Sequence, residues 1–314
     1  MPTKPPKAAV LFVVFNRPEE TLQVFDVIRK AKPPRLYVAA DGARVDREGE
    51  TELVARTRAI ATAVDWPCEL KTLFREENLS CGIAVKTAID WFFETETSGV
   101  ILEDDTVPTL EFFQFCNELL IRYHKDQRVG MISGTNHTGY KSDNASYIFS
   151  KNKACWGWAT WRRAWKNMDF DMVWRGLPQA SSVKKNMGYT VRHYLHWKNA
   201  LNAIDAGRVN AWDWQWYFSI AAQNQLTIFP NVNLVSNIGF GQNATHTKGS
   251  VKKEYIRTGN LAFPLKHPKF LCPDFDYDEV FEKKQHSIWT QSIKKCIPQS
   301  LRNILMTIFR LCKR

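Results

Sequence analysis

Short apolar runs alternate with helix-like segments through the first hundred residues, and this alternation restricts the possible folds more than any other feature of the sequence. The runs are apolar and often β-branched, which is typical of strands that are covered on both faces. Strands and helices that alternate in this way predict a parallel sheet with right-handed crossovers. The predicted strands are 9–15, 35–40, 69–74 and 100–102, and the predicted helices are 18–30, 48–64 and 80–94.

The later part of the chain is less regular. A helix is predicted at 111–123 and strands at 129–133 and 227–235, but nine of the twelve tryptophans fall between Trp156 and Trp216, where the alternation stops. We therefore predict an α/β fold with a mostly parallel, Rossmann-like sheet flanked by helices. It would occupy 1–249 and be followed by a C-terminal helical extension at 250–314.

Glu103, Asp104 and Asp105 follow the apolar run that ends at Leu102. Open α/β sheets bind ligands at the carboxyl ends of their strands. Carboxylates packed this densely repel one another and favour a cation, and Mg²⁺ or Mn²⁺ prefers oxygen ligands and can also hold a diphosphate. The alternative is an acidic turn that caps a helix beginning near Thr109.

Two other predicted strand ends carry polar residues. Phe15, Asn16 and Arg17 end the first strand, where backbone N–H groups and a guanidinium would favour negative charge. Asp41 ends the second strand, where its carboxylate could accept a hydrogen bond from a nucleotide base or ribose. Both features also have a purely structural explanation. The segment 15–17 could be a helix start with a solvent-facing arginine, and Asp41 could belong to an Asp-Gly turn.

Candidates for further chemistry lie in the second half. Asp213 stands among three tryptophans at 212–216, where partial desolvation would raise the pKa of its carboxyl and make it a better base. Trp158 belongs to a tryptophan-rich stretch at 155–161 that we interpret as an aromatic loop beside an acceptor. His246 follows a glycine-containing approach at 239–241 and is a candidate ligand for a metal or diphosphate. Tryptophan clusters are also common in hydrophobic cores, and a lone histidine often has only a structural role.

The net charge of +11 suits anionic partners. The basic amphipathic pattern at 297–314 predicts a helix that could lie on an anionic membrane surface or dock on protein. Seven cysteines without CxxC spacing argue against a zinc ribbon or a disulfide framework. The apolar run at 8–15 resembles a first strand more than a signal peptide, which predicts a cytoplasmic protein, with 297–314 as a peripheral contact on the inner face of the membrane.

Together these motifs resemble the GT-A-type, nucleotide-sugar-dependent glycosyltransferases over roughly residues 8–248. The N-terminus is similar to family 2 enzymes, and the region 100–105 to N-acetylglucosaminyltransferase I-type enzymes. The matching segments are 15–18 at the first strand–helix turn, Asp41-Gly42 at the base pocket, 77–82 with Asn78 at a nucleotide contact, and Glu103-Asp104-Asp105 in place of the DXD motif.

The resemblance implies a nucleotide-binding half at about 8–106 and an acceptor-binding half at about 107–249. Asp105 would hold Mn²⁺ or Mg²⁺, Glu103 and Asp104 would lie near the ribose and donor sugar, and His246 would take a further metal-ligand position. Asp213 would be the base of an inverting enzyme. The expected donor is a UDP-sugar, and the expected acceptor is a glycan or glycolipid.

The sequence is also compatible with two other function classes. A sugar-nucleotide pyrophosphorylase would be expected to have a Gly-rich basic loop after the first strand, whereas this chain has Phe15-Asn16-Arg17-Pro18 there. A non-catalytic protein that binds nucleic acid or glycans would suit the positive charge. Because the aromatics do not interleave with basic residues in a stripe, we expect no nucleic acid partner.

Overall fold

The computed structural model describes residues 8–188, 190–210, 212–239 and 257–285. Ten strands lie in these ranges: β1 (Ala9–Val14), β2 (Arg35–Ala40), β3 (Glu69–Phe74), β4 (Ser98–Glu103), β5 (Thr106–Pro108), β6 (Val129–Ser133), β7 (Tyr147–Ser150), β8 (Trp158–Trp161), β9 (Leu226–Pro230) and β10 (Val235–Asn237). The helices are α1 (Pro18–Ala31), α2 (Glu50–Ala61), α3 (Ser80–Thr95), α4 (Leu110–Arg122), α5 (Arg162–Trp165), α6 (Ala180–Met187), α7 (Val191–Asp205), α8 (Asp213–Ala222) and α9 (Phe275–Gln285), with a 3₁₀ turn at Val173–Gly176.

Eight of the strands form one sheet in the order β3-β2-β1-β4-β8-β6-β9-β7. The first four strands are parallel, as the alternation predicts. β8 is antiparallel to both β4 and β6, and β7 is antiparallel to β9. The prediction of a mostly parallel sheet was therefore wrong, because the sheet is mixed in its second half.

Helices cover both faces of the sheet, because successive side chains of a strand point to opposite faces. Val10 and Phe12 of β1 pack with α1 and α4 on one face. Ala9 and Leu11 belong to the core on the other face, which contains α3 and residues of α5–α8. The result is an α/β fold of Rossmann-like type, built on a large mixed sheet flanked by helices.

The start of the predicted C-terminal extension packs on the sheet. Tyr277 and Phe281 of α9 join Ile148 of β7 and Phe229 of β9 in a small apolar cluster. The amphipathic helix predicted at 297–314 lies outside the described residues. Among the helices within the described ranges, none has both the length and the apolar character needed to cross a membrane.

Glu96 anchors the parallel half of the sheet just beyond the end of α3. Its buried carboxylate accepts hydrogen bonds from Arg35 at 2.7 and 3.0 Å and from the Tyr37 hydroxyl at 2.9 Å. We expect Glu96→Ala to lower the free energy of unfolding by about 1–2 kcal/mol, because it removes the carboxylate that accepts from the buried Tyr37 hydroxyl and from the partly exposed Arg35 guanidinium. Denaturant unfolding measures this change. Glu94→Ala, which alters an exposed carboxylate on the same helix, is the control and should change stability by less than about 0.5 kcal/mol.

Candidate functional site

The sheet opens a crevice between the carboxyl ends of β1 and β4. β1 lies between β2 and β4, so the strand order reverses at this point. A reversal of this kind leaves room for a ligand in an open α/β sheet. Phe15, Asn16 and Arg17 follow β1 there, and the three acids follow β4.

A cleft of about 280 Å³ occupies this crevice, and we call it the strand-end cleft. It brings together seven residues that the sequence predicted separately from different strand ends: Phe15, Asn16, Arg17, Asp41, Asn78, Glu103 and Asp104. Parallel topology explains their convergence, because the carboxyl ends of β1, β2, β3 and β4 meet at one edge of the sheet.

The acidic triplet forms the end of β4 and the turn into β5. Glu103 is the last residue of β4, Asp104 and Asp105 form the turn, and Thr106 begins β5. The cap of α4 is Thr109, whose hydroxyl accepts from the Phe112 N–H at 3.3 Å. The acids therefore do not cap α4, and the helix-capping alternative is wrong.

Arg17 is ion-paired with the acidic turn. One guanidinium nitrogen contacts the Asp104 carboxylate, and the other lies 3.0 Å from Asp105 Oδ2. Burial alone would lower the pKa of Arg17, but the two carboxylates raise it overall. The Phe15 N–H also donates to Asp104 Oδ2 at 3.3 Å, so the turn after β1 and the turn after β4 are held against each other.

The carboxylates remain electrostatically crowded in spite of Arg17. Burial, together with the charges of Asp105, Asp104 and Asp213, raises the pKa of Glu103 well above its ordinary value. Burial also raises the pKa of Asp104 to about 6, against the opposing effect of Arg17. Additional positive charge beside these acids would therefore stabilise their ionised forms.

The donor atoms of the turn fit Mg²⁺ or Mn²⁺, since all are carboxylate oxygens. Within the described residues, no group of three or more His, Cys, Asp or Glu side chains is arranged to hold a metal ion. Mg²⁺ is commonly bound by one or two carboxylates together with substrate phosphates, so a site completed by a diphosphate is compatible with this arrangement. The predicted ligand Asp105 lies in the turn, whereas His246 lies outside the described residues.

The strand β10 runs beside the acidic turn. It pairs with β5, placing Asn237 opposite Thr106, and the Ile238 N–H donates to the Asp105 carbonyl at 2.9 Å. A Cβ atom at Gly239 would lie 1.9 Å from Asp105 Oδ2, so any larger residue would force the Asp105 side chain to move. The glycine at 239, part of the glycine-containing segment 239–241, is therefore explained by its close packing against the acidic turn.

Asp41 and Asn78 connect two loops at the far wall of the cleft. Both carboxylate oxygens of Asp41 accept from the Leu79 N–H at 3.0 Å, and Asn78 Nδ2 donates to the Gly42 carbonyl at 2.8 Å. Burial raises the pKa of Asp41 despite these hydrogen bonds. A Cβ at Gly42 would come within 2.4 Å of the Glu76 carbonyl oxygen, so glycine is required for the loops to approach.

Sequence reasoning missed two arginines of the cleft, Arg44 and Arg75. The buried carboxylate of Glu50 accepts from the Arg44 backbone N–H at 2.8 Å and from Asn16 Nδ2 at 2.8 Å, and it is ion-paired with the Arg44 guanidinium, so it fixes both residues. Arg75 is the first residue after β3, and Arg44 follows the end of β2 by four positions. The rule that ligand groups follow strand ends could have identified both.

Asp213 lines a second cavity of about 210 Å³, whose lining shares no residue with that of the strand-end cleft. It is the first residue of α8, and burial raises the pKa of its carboxyl to about 6 against the nearby backbone N–H groups of the helix start. Its charge contributes to the raised pKa of Glu103, and both charges act on Cys81, a residue of the strand-end cleft. Asp213 thus combines a raised pKa with electrostatic coupling to the acidic turn.

Trp158 does not line either cavity. The predicted loop at 155–161 contains strand β8, and the Trp158 side chain is 0% exposed. Its ring stacks on Trp212 at 5.5 Å and lies 6.0 Å from Trp216, within the tryptophan core beneath α8. The loop prediction was wrong, because a strand covered on both faces needs no polar alternation. Trp156 from the same stretch does line the second cavity.

Comparisons with known proteins give no family for this chain. Neither a family model nor a curated protein matches it. Matching solved structures include the crystal structure of HddC from Yersinia pseudotuberculosis, at 8% identity and a TM-score of 0.30, covering 50% of this chain and 77% of that chain. A likeness of this degree carries no argument about function.

Proposed function

We propose that this protein is a metal-dependent glycosyltransferase of GT-A type that moves a sugar from a nucleoside diphosphate donor, with UDP expected, to a hydroxyl acceptor. The observation that carries the proposal is the convergence of Arg17, Arg44 and Arg75 with Glu103 and Asp104 in one strand-end cleft, where Glu103 also feels the charge of Asp213, a carboxylate of raised pKa. Cations and carboxylates in one cleft suit a diphosphate bound together with a divalent metal.

Residues of the strand-end cleft would bind the donor, and residues of the second cavity would bind and activate the acceptor. Arg44 and Arg75 would hold the diphosphate, while Arg17 would keep the turns after β1 and β4 together. Asp104, Asp105 and Glu103 would hold the metal and the donor. A metal ion bound there would supply positive charge beside the departing diphosphate.

Asp213 would act as the general base in the second cavity. Its carboxylate would take the proton of the acceptor hydroxyl as that oxygen attacks the anomeric carbon of the donor. The new bond joins the acceptor oxygen to the anomeric carbon, while the bond from that carbon to the phosphate oxygen breaks and the nucleoside diphosphate leaves. Attack from the face opposite the leaving group would invert the configuration, so a product of retained configuration would contradict this mechanism.

Metal-dependent nucleotide binding is the first test. We expect UDP and UDP-sugars to raise the thermal stability of the protein in the presence of Mn²⁺, and much less in the presence of EDTA. At a ligand concentration of 100 times Kd the stabilisation is about 2.7 kcal/mol. A thermal-shift screen of nucleoside diphosphates, nucleotide sugars and nucleoside triphosphates measures this effect. A shift with a nucleoside triphosphate and sugar 1-phosphate alone would instead favour a pyrophosphorylase.

A further inference from the structure

The second cavity contains a buried lysine that the proposed base chemistry does not use. Lys153 lies on the segment between β7 and β8, is 6% exposed, and lines the cavity together with Asp213. Within the described residues, its ammonium donates to the Met187 thioether at 3.9 Å, and sulfur is a weak acceptor. Since an ammonium has three N–H donors, this contact leaves donors available to a ligand.

The carboxylate of Asp278, which does not line the cavity, is engaged by groups other than the Lys153 ammonium. Asp278 accepts from the Ser150 hydroxyl, from Asn152 Nδ2 at 3.0 Å and from the Lys151 N–H at 3.3 Å. These contacts fix the segment that carries Lys153 without using its ammonium. The charge of Asp278 still favours the ionised lysine, although burial lowers the pKa of Lys153 to about 7.

His193 and His196, which line the cavity, add no second cation, because burial lowers the pKa of both. Trp197 Nε1 donates to His193 Nε2 at 2.6 Å, and His193 Nδ1 lies 3.3 Å from Glu282 Oε1. Burial lowers the pKa of His193 to about 3, with a further contribution from the charge of Lys153. The Thr190 hydroxyl donates to the other oxygen of Glu282. This carboxylate is therefore directed toward His193 and Thr190, and it does not line the cavity.

We propose that the second cavity binds an acceptor carrying an anionic group, a carboxylate or a phosphate, which pairs with Lys153 while its hydroxyl faces Asp213. The inference rests on the proposed function, because that function assigns an acceptor to this cavity. The second cavity, at about 210 Å³, is smaller than the strand-end cleft at about 280 Å³, so the test uses single sugar residues. A buried cation whose hydrogen-bond acceptor within the described ranges is a thioether would gain most from an anionic ligand.

Ligand-observed NMR titrations of the full chain test this assignment. The probes are D-glucuronate, D-glucose 6-phosphate and neutral D-glucose, each with UDP and diamagnetic Mg²⁺ present. We expect at least one anionic sugar to bind about tenfold more tightly than glucose, and Lys153→Met to weaken that binding about 10- to 100-fold without changing the binding of glucose. A glucuronate preference assigns a carboxylate acceptor, and a glucose 6-phosphate preference assigns a phosphorylated one.

Matched variants separate a binding role from a structural role. Lys125→Met removes an exposed lysine outside both cavities and should bind like the wild type. Lys153→Gln keeps a polar side chain without the charge, and should lose the preference even if Lys153→Met folds poorly. The inference is overturned if the wild type does not prefer either anion over glucose, or if Lys153→Gln keeps the preference. UDP binding in the same samples tests the donor site independently, so failure of the proposed function is seen separately.

Discussion

Asp213→Asn is expected to lower the turnover of sugar transfer by about 10²- to 10⁴-fold, the usual contribution of a general base. Asparagine has nearly the same shape but cannot accept the proton of the acceptor hydroxyl. Donor binding should persist, because Asp213 lines the second cavity and not the strand-end cleft. Steady-state kinetics with a UDP-sugar, together with a UDP titration, separates the two effects. Asp171→Asn, at an exposed position, is the control and should keep wild-type turnover.

The pH dependence gives a second measure of the same residue. A base must be deprotonated to act, and burial raises the pKa of Asp213 to about 6. At saturating donor and Mn²⁺, where the acidic turn is held in its ionised form, the wild-type kcat should therefore rise with pH through about 6 and then level off. The residual activity of Asp213→Asn should lack this rise. An unchanged turnover in Asp213→Asn would remove Asp213 from the base position.

The same substitution is expected to stabilise the fold at neutral pH. The folded pKa of Asp213 lies above the ordinary value of 3.8, so its ionisation costs the native state free energy. The cost is absent below about pH 3.8, where the carboxyl is protonated in both states, and is complete above about pH 6. Asparagine avoids it, and Asp213→Asn should gain about 1–3 kcal/mol at pH 7 and nothing at pH 3.5. Denaturant unfolding at both pH values measures the difference.

Asp105→Ala is expected to reduce kcat/KM for transfer at least about 100-fold and to abolish the Mn²⁺ dependence of UDP binding. The substitution removes carboxylate oxygens from the acidic turn. The fold should survive, because Arg17 keeps its pair with Asp104, and the Ile238 N–H bonds the Asp105 backbone carbonyl. Kinetics and UDP titrations with Mn²⁺ or EDTA measure both effects.

Asp143→Ala serves as the control for Asp105→Ala. It removes an exposed carboxylate that lines neither the strand-end cleft nor the second cavity, so UDP binding and transfer should match those of the wild type. Full transferase activity in Asp105→Ala would remove that residue from the metal site.

The parallel half of the sheet and most of the strand-end cleft were predictable from the sequence. The apolar runs of β1, β2 and β4 mark covered strands, and the carboxyl ends of parallel strands necessarily meet at one edge. The sequence alone therefore places Asp41 and the acidic triplet near one another. The partners that hold them, such as Glu50 for Asn16 and Arg44, depend on how α2 packs beside the cleft.

The second half was less predictable because its tryptophans carry no periodic signal. Trp158 and Trp161 of β8 are buried on both faces, so the strand resembles an aromatic loop in sequence. The pairing of β8 against β4 then makes the sheet mixed. The second cavity is assembled from residues as distant as Lys153, Asp213 and Phe281, and no local pattern links them.

A crystal structure of the protein with UDP and Mn²⁺ tests the central claim most directly. We predict an anomalous manganese peak beside the Asp105 carboxylate, with the diphosphate in the strand-end cleft against Arg44 and Arg75. A nucleotide bound elsewhere, or a diphosphate in the cleft with no manganese at the acidic turn, would contradict it.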